Sequence, residues 1–100
     1  MSVSFPAPDA TPEQIEAYLE QIGYKLTIEL RQPVVLGEQH DKLTLREPTA
    51  AEWSQWSHLR GVESDIKAVS VISGVPEAAV RLIGSRDLIK AARFIALFLD

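Results

Sequence analysis

Apolar and polar positions along this chain repeat with two different periods, and the places where the period changes mark out its elements. Between Thr11 and Gly23, Ile15, Tyr18, Leu19 and Ile22 fall on one side of a helical wheel, while Glu13, Glu16 and Glu20 fall on the other. Thr11 suits an N-cap, Pro12 the first helical position, Gln14 the capping-box position and Gly23 a stop, so a helix is predicted over residues 11–23. Its acidic stripe reads as a solvated face. From Tyr24 the period becomes two. Leu26, Ile28 and Leu30 alternate with Lys25, Thr27, Glu29 and Arg31, the pattern of a half-buried strand that Pro33 should break or end. Val34 to Leu36 extends the pairing, Gly37 to Asp41 supplies turn chemistry, and Leu43 and Leu45 alternate with Lys42, Thr44 and Arg46 in a second strand.

The helical period then returns. Thr49 and Glu52 form a predicted capping box, and the helix they open is expected to carry Trp53 and Trp56 and to end at Arg60-Gly61. Val62, Ile66, Val69 and Ile72 give another helical stripe, stopped by Gly74. Pro76 opens a short helix, and Ser85 with Asp87 opens a last one expected to run to the chain end. The fold class is therefore α+β: an antiparallel β-hairpin or meander packed with a C-terminal bundle of three to four helices, preceded by an additional N-terminal helix. A hairpin alone is marginal in water, so helices must cover its apolar face. Residues 1–10, with Pro6, Pro8 and no periodicity, read as a flexible arm. Residues 11–100 read as one domain, with the helix at 11–23, the hairpin at 24–47 and the helical region at 49–100.

The last helix has an unusually wide apolar arc. Leu88, Ile89, Ala91, Ala92, Phe94, Ile95, Ala96, Phe98 and Leu99 leave mainly Arg86, Lys90 and Arg93 on the polar side. Either the helix is central to the fold, or part of that arc, with Phe94 and Phe98, meets another chain. Tryptophan usually serves a core, and it is also enriched at interface hot spots. Trp53 and Trp56, beside the corner formed by Leu45, Arg46 and Glu47, are thus candidate contact residues, with Trp53 expected to matter more for stability.

Composition narrows the chemistry. One hundred residues, 46% hydrophobic and 24% charged, are enough for one core. A net charge of −4 disfavours general binding to phosphate backbones. With no cysteine there is neither a disulfide nor a thiolate metal site. His40 and His58 have no metal-ligand spacing, no serine sits in a nucleophile elbow, and no Gly-rich loop follows a strand. No catalytic residue, cofactor or metal is expected. The N-terminal residues lack a signal-peptide pattern, and the longest apolar run, Phe94 to Leu99, is far shorter than a membrane span, so a cytoplasmic protein is expected. Ser70, Gly74, Val80 and Ile83 match helix-turn-helix spacing, which makes a small DNA-binding regulator the alternative reading. The would-be recognition segment, however, offers only Arg81 to base edges, so nucleic acid is not the expected partner.

Three segments in order, Leu43-Thr44-Leu45-Arg46-Glu47-Pro48-Thr49, then Ile72-Ser73-Gly74-Val75-Pro76 with Val80, then Ser85-Arg86-Asp87, resemble the tail assembly chaperones of Mu-like and P2-like phages. The likeness runs from about Leu26 to Leu99 and leaves the helix at 11–23 as an extension. It implies a non-catalytic host-cytoplasmic protein that binds the long helical tape measure protein and keeps it soluble until tube subunits polymerise around it. It further implies that a longer frameshifted form recruits tail tube protein, and self-association through the last helix is open. The matching segments carry over as fold signatures, and the resemblance supplies no catalytic residue.

Overall fold

The computed structural model describes residues 4–99. Five helices and a two-stranded antiparallel sheet form the α+β fold. Helix α1, Pro12–Ile22, opens with a capping box: the Thr11 hydroxyl accepts from the Gln14 N–H at 3.2 Å, and the Gln14 side chain accepts from the Thr11 N–H at 2.8 Å. It buries Tyr18 and Leu19 and ends at Gly23, whose φ of 69° lets the chain reverse. Tyr24 follows with φ 62°, rare for a residue with a Cβ, and its hydroxyl donates back to Glu16. Of the segment before α1, Phe5 packs edge-on against Tyr18 with centroids 5.5 Å apart. Residues 1–3 of the expected arm lie outside the described residues, as does Asp100 at the expected end of the last helix.

Strands β1, Lys25–Leu36, and β2, Glu38–Arg46, pair antiparallel from Lys25↔Arg46 to Leu36↔Glu38. Pro33 does not end the first strand. Four residues, Leu30 to Pro33, stand opposite the single Asp41, and this bulge absorbs a proline that has no N–H to give a ladder. Beyond it the pairing resumes, so Glu38 to His40, expected as turn, are strand, and Gly37 alone makes the reversal with φ 77°. The bulge is tied down from outside: the backbone N–H of Arg31 donates to the buried Asp87 carboxylate at 3.0 Å.

The helix after the hairpin is shorter than its apolar pattern suggests. Helix α2, Ala50–Trp53, has the expected capping box, Thr49 with Glu52, but ends after one turn. The Ser54 hydroxyl there donates to the Ala51 carbonyl at 2.6 Å, a local bond that competes with helix propagation. Residues 54–58 form turns, and one of them swings Trp56 inward to 4% exposure while Trp53 stays 44% exposed. The expected order of the two tryptophans is thus reversed: Trp56 belongs to the core.

Helix α3, Gly61–Ser73, buries Ile66, Ala68, Val69 and Ile72 and stops at Gly74. It packs against β2, α2, the one-turn helix α4, Glu77–Val80, and the last helix α5, Ser85–Ala96. Helix α5 in turn packs against α3 and both strands, so most of its wide arc is core: Leu88, Ala91, Phe94 and Ile95 are buried. The α-helix stops at Ala96, and three successive i→i−3 bonds continue it as a tighter 3₁₀-type turn that leaves Leu97, Phe98 and Leu99 half-buried against the core. The covered face of the hairpin presents Ile28, Leu30, Leu43 and Leu45 to α3 and α5, and Leu43, Leu45, Val69, Val80, Phe94 and Ile95 are the largest fully enclosed side chains.

Candidate functional site

The seven candidate contact residues separate by environment. Leu45, Trp56 and Phe94 are core side chains, the first and last with no exposed surface, and they offer a partner nothing to touch. Leu45 lies on the covered face of the hairpin, the turn after α2 directs Trp56 inward, and α5 is covered on the side that carries Phe94. The other four, Arg46, Glu47, Trp53 and Phe98, come together at one end of the molecule.

Phe98 is the hinge of this surface. Its ring stands edge-on to Phe94 with centroids 5.4 Å apart and an interplanar angle of 83°, which anchors a half-buried side chain to the core. On one side Phe98, Leu99, Pro48 and Trp53 line a depression of about 300 Å³. On the other, Phe98, Leu97, Ile15, Tyr24 and Glu47 line a larger one of about 420 Å³, with Glu16 at its margin. The two share Phe98 and make one broken groove of mixed character, its larger part mostly polar. Its residues come from three stretches far apart in sequence: α1 with Tyr24, the corner after β2 with α2, and the final turns.

The electrostatics of the groove are acidic. The Tyr24 hydroxyl is pushed up to about 12, first by its hydrogen bond to Glu16 and further by desolvation and by the charges of Glu16, Glu20 and Glu47. Arg46, next to Glu47, is already engaged: it makes two bonds to Glu52, at 2.8 and 2.7 Å, and one to the Glu47 carbonyl at 3.1 Å. Glu52 also accepts the Thr49 N–H at 2.9 Å, and these bonds, the Arg46 guanidinium first, hold its carboxyl down at about 2. Arg46 therefore braces the corner that displays Trp53. The groove thus combines the half-buried Leu97, Phe98 and Leu99 with the carboxylates of Glu16 and Glu47.

Comparison with protein-family models, curated proteins and solved structures finds no match to this chain.

The helix-turn-helix spacing maps to α3, the Gly74-Val75-Pro76 turn and α4. The second helix is a single turn whose Ala79 and Val80 are buried, and Arg81 after it is held by Glu63 at 2.7 and 3.1 Å. Lys67 is paired to Glu77 at 3.2 Å. His58 lies exposed in the turn after α2, whereas His40 is buried on β2 and its Nε2 has no hydrogen-bond partner among the described residues. Among those residues no three His, Cys, Asp or Glu side chains are grouped as a metal site would need, and no helix is long and apolar enough to cross a membrane. Ile15, Tyr24, Pro48, Leu97 and Leu99 were not singled out as contact residues from the sequence. The backbone reversal at Gly23 and Tyr24 and the packing of the corner after β2 beside the last turn bring them to Phe98, and neither leaves a periodic signal.

Proposed function

We propose that this chain is a phage or prophage tail assembly chaperone, which binds the tape measure protein in the host cytoplasm and keeps it soluble during tail morphogenesis. The observation that carries the reading is the mixed groove through Phe98, where the half-buried Leu97, Phe98 and Leu99 lie between Trp53 and Tyr24 with Glu16 and Glu47 beside them. A long helical client exposes apolar stripes before its tube assembles, and a groove of this kind accepts an amphipathic helix, with the carboxylates meeting basic residues beside the stripe. The ordered Leu45 to Thr49, Gly74 to Pro76 and Ser85 to Asp87 segments support the same reading by their resemblance. A longer form that adds a tube-recruiting domain fits the proposal, because the groove does not need that addition to hold a client.

The test is co-expression of the tagged chain with the long helical tail protein encoded beside it, scored by the client's solubility and co-purification. A soluble complex is expected from the unaltered chain. Trp53→Ser, at an exposed position, is expected to cut recovered client several-fold while the variant's thermal midpoint stays near the parent's. A client that stays insoluble beside a folded, abundant chain, with or without the longer form, sinks the proposal.

A further inference from the structure

The outer face of α5 carries Arg86, Lys90 and Arg93, with Ile89, 51% exposed, among them. None of these three cations has an ion-pair partner among the described residues. With Phe5, whose ring lies 5.7 Å from the Arg93 guanidinium carbon, they line a groove of about 380 Å³. The chain as a whole carries a net charge of −4, so carboxylates to neutralise this face are plentiful, yet they lie elsewhere. The nearest match in pattern is on α1. Its exposed side is Glu13, Glu16, Ala17 and Glu20, and its packing is against β1. Within one molecule Phe5 touches both Tyr18 of α1 and Arg93 of α5, and the acidic stripe of α1 faces solvent.

Positions 13, 16, 17 and 20 follow the i, i+3, i+4, i+7 spacing of a single helix face, and so do 86, 89, 90 and 93. Laid antiparallel, the two faces register at every position. Glu13 meets Arg93, Glu16 meets Lys90 and Glu20 meets Arg86, while the small Ala17 sits opposite the large Ile89. Glu16 keeps one carboxylate oxygen for Lys90, because its bond from the Tyr24 hydroxyl uses the other.

We infer that α1 of one copy docks antiparallel into the α5 groove of a second copy, held by three ion pairs around an Ala17–Ile89 contact. The matched apolar position favours a helix as the occupant over a phosphate backbone, which has no use for an exposed isoleucine at the centre of the face. The contact spans only two helical turns and its ion pairs are exposed, so the association is weak and sensitive to salt. It shares Glu16 with the margin of the Phe98 groove but leaves Trp53 and Phe98 uninvolved, so it stands whether or not the client reading does.

Sedimentation velocity of the full chain over a concentration series tests this at about 0.05 M and about 0.5 M salt. Association is expected at low salt and is expected to weaken about tenfold or more at high salt. Glu20 and Arg86 are exposed and their side chains make no hydrogen bond among the described residues, so each tolerates charge reversal. Glu20→Arg alone and Arg86→Glu alone should each abolish the association, and a chain carrying both should regain it with the signs exchanged. A chain that stays monomeric at every concentration in low salt overturns the inference. So does association that survives the single reversals, or that the double exchange fails to restore.

Discussion

Trp53 and Trp56 stand three positions apart and meet opposite environments, and the difference is set by where one helical turn stops. Deleting the buried indole of Trp56 leaves a cavity among α3 and its neighbours, which costs about 3–5 kcal/mol. Trp53 at 44% exposure should cost about 1 kcal/mol or less. Because about 1 kcal/mol moves the midpoint of a domain this size by about 4–8 °C, Trp56→Ala is expected to melt more than about 10 °C below Trp53→Ala. Equal midpoints would count against the assignment. The corner beside them adds a pH dependence. Glu52 is held down at about 2 when folded and titrates in the ordinary carboxylate range when unfolded. Its ionised form is thus the one the fold favours, so its contribution is full above the unfolded value and is lost as pH falls toward about 2. Urea midpoints of the parent and of Glu52→Gln should differ at neutral pH and converge near pH 2. A gap that persists unchanged in acid would show that the bonds from Arg46 and Thr49 are not its source. Both capping boxes were legible in the sequence because they depend on residues three apart, whereas the fates of the two tryptophans depend on contacts made far along the chain.

At the scale of elements, the alternation of Leu26, Ile28 and Leu30 and of Leu43 and Leu45 announced the hairpin, and Gly23 and Gly74 announced the ends of α1 and α3. Pro33 misled because a proline bars one ladder hydrogen bond without barring a bulge that needs none, and nothing local reveals that Asp87, far along the chain, will take up the Arg31 N–H instead. That single bond joins β1 to the first turn of α5, whose N-cap, Gly84, has no side-chain bond of its own. Removing the acceptor strands a backbone donor in a part-buried place, at a cost of about 1–3 kcal/mol. Asp87→Ala should therefore destabilise the chain by that amount and speed hydrogen exchange of the Arg31 amide, while Asp87→Asn, which keeps an acceptor oxygen, should restore most of both. If the asparagine variant exchanges as fast as the alanine one, the tether is not acting through this bond.

Across the whole molecule, the wide apolar arc of the last helix turns out to have two uses that a helical wheel cannot separate. Leu88, Ala91, Phe94 and Ile95 face α3 and the hairpin and are consumed by the core, while past Ala96 the helix tightens and Leu97, Phe98 and Leu99 line a groove completed by α1, Tyr24, Pro48 and Trp53. The fold class was readable because each element carries its own period. The groove was not, because its walls are separated by most of the chain and only the closed fold makes them neighbours. This arrangement fixes how stability and client binding should be linked along one line of aromatic side chains. Phe94, with no exposed surface, should lose both together: Phe94→Ala costs about 3–5 kcal/mol and takes the groove down with the core. Phe98 lies between the two roles, half-buried and set edge-on to Phe94, so Phe98→Ala should lower the midpoint less than Phe94→Ala does while removing most client recovery. Trp53, at the outer wall, should lose client with the midpoint nearly unchanged. Thermal midpoints measured beside client solubility for the three variants check that ordering. A Phe98→Ala chain that still holds the client as well as the parent would separate the groove from the function proposed for it, whatever the other two variants do.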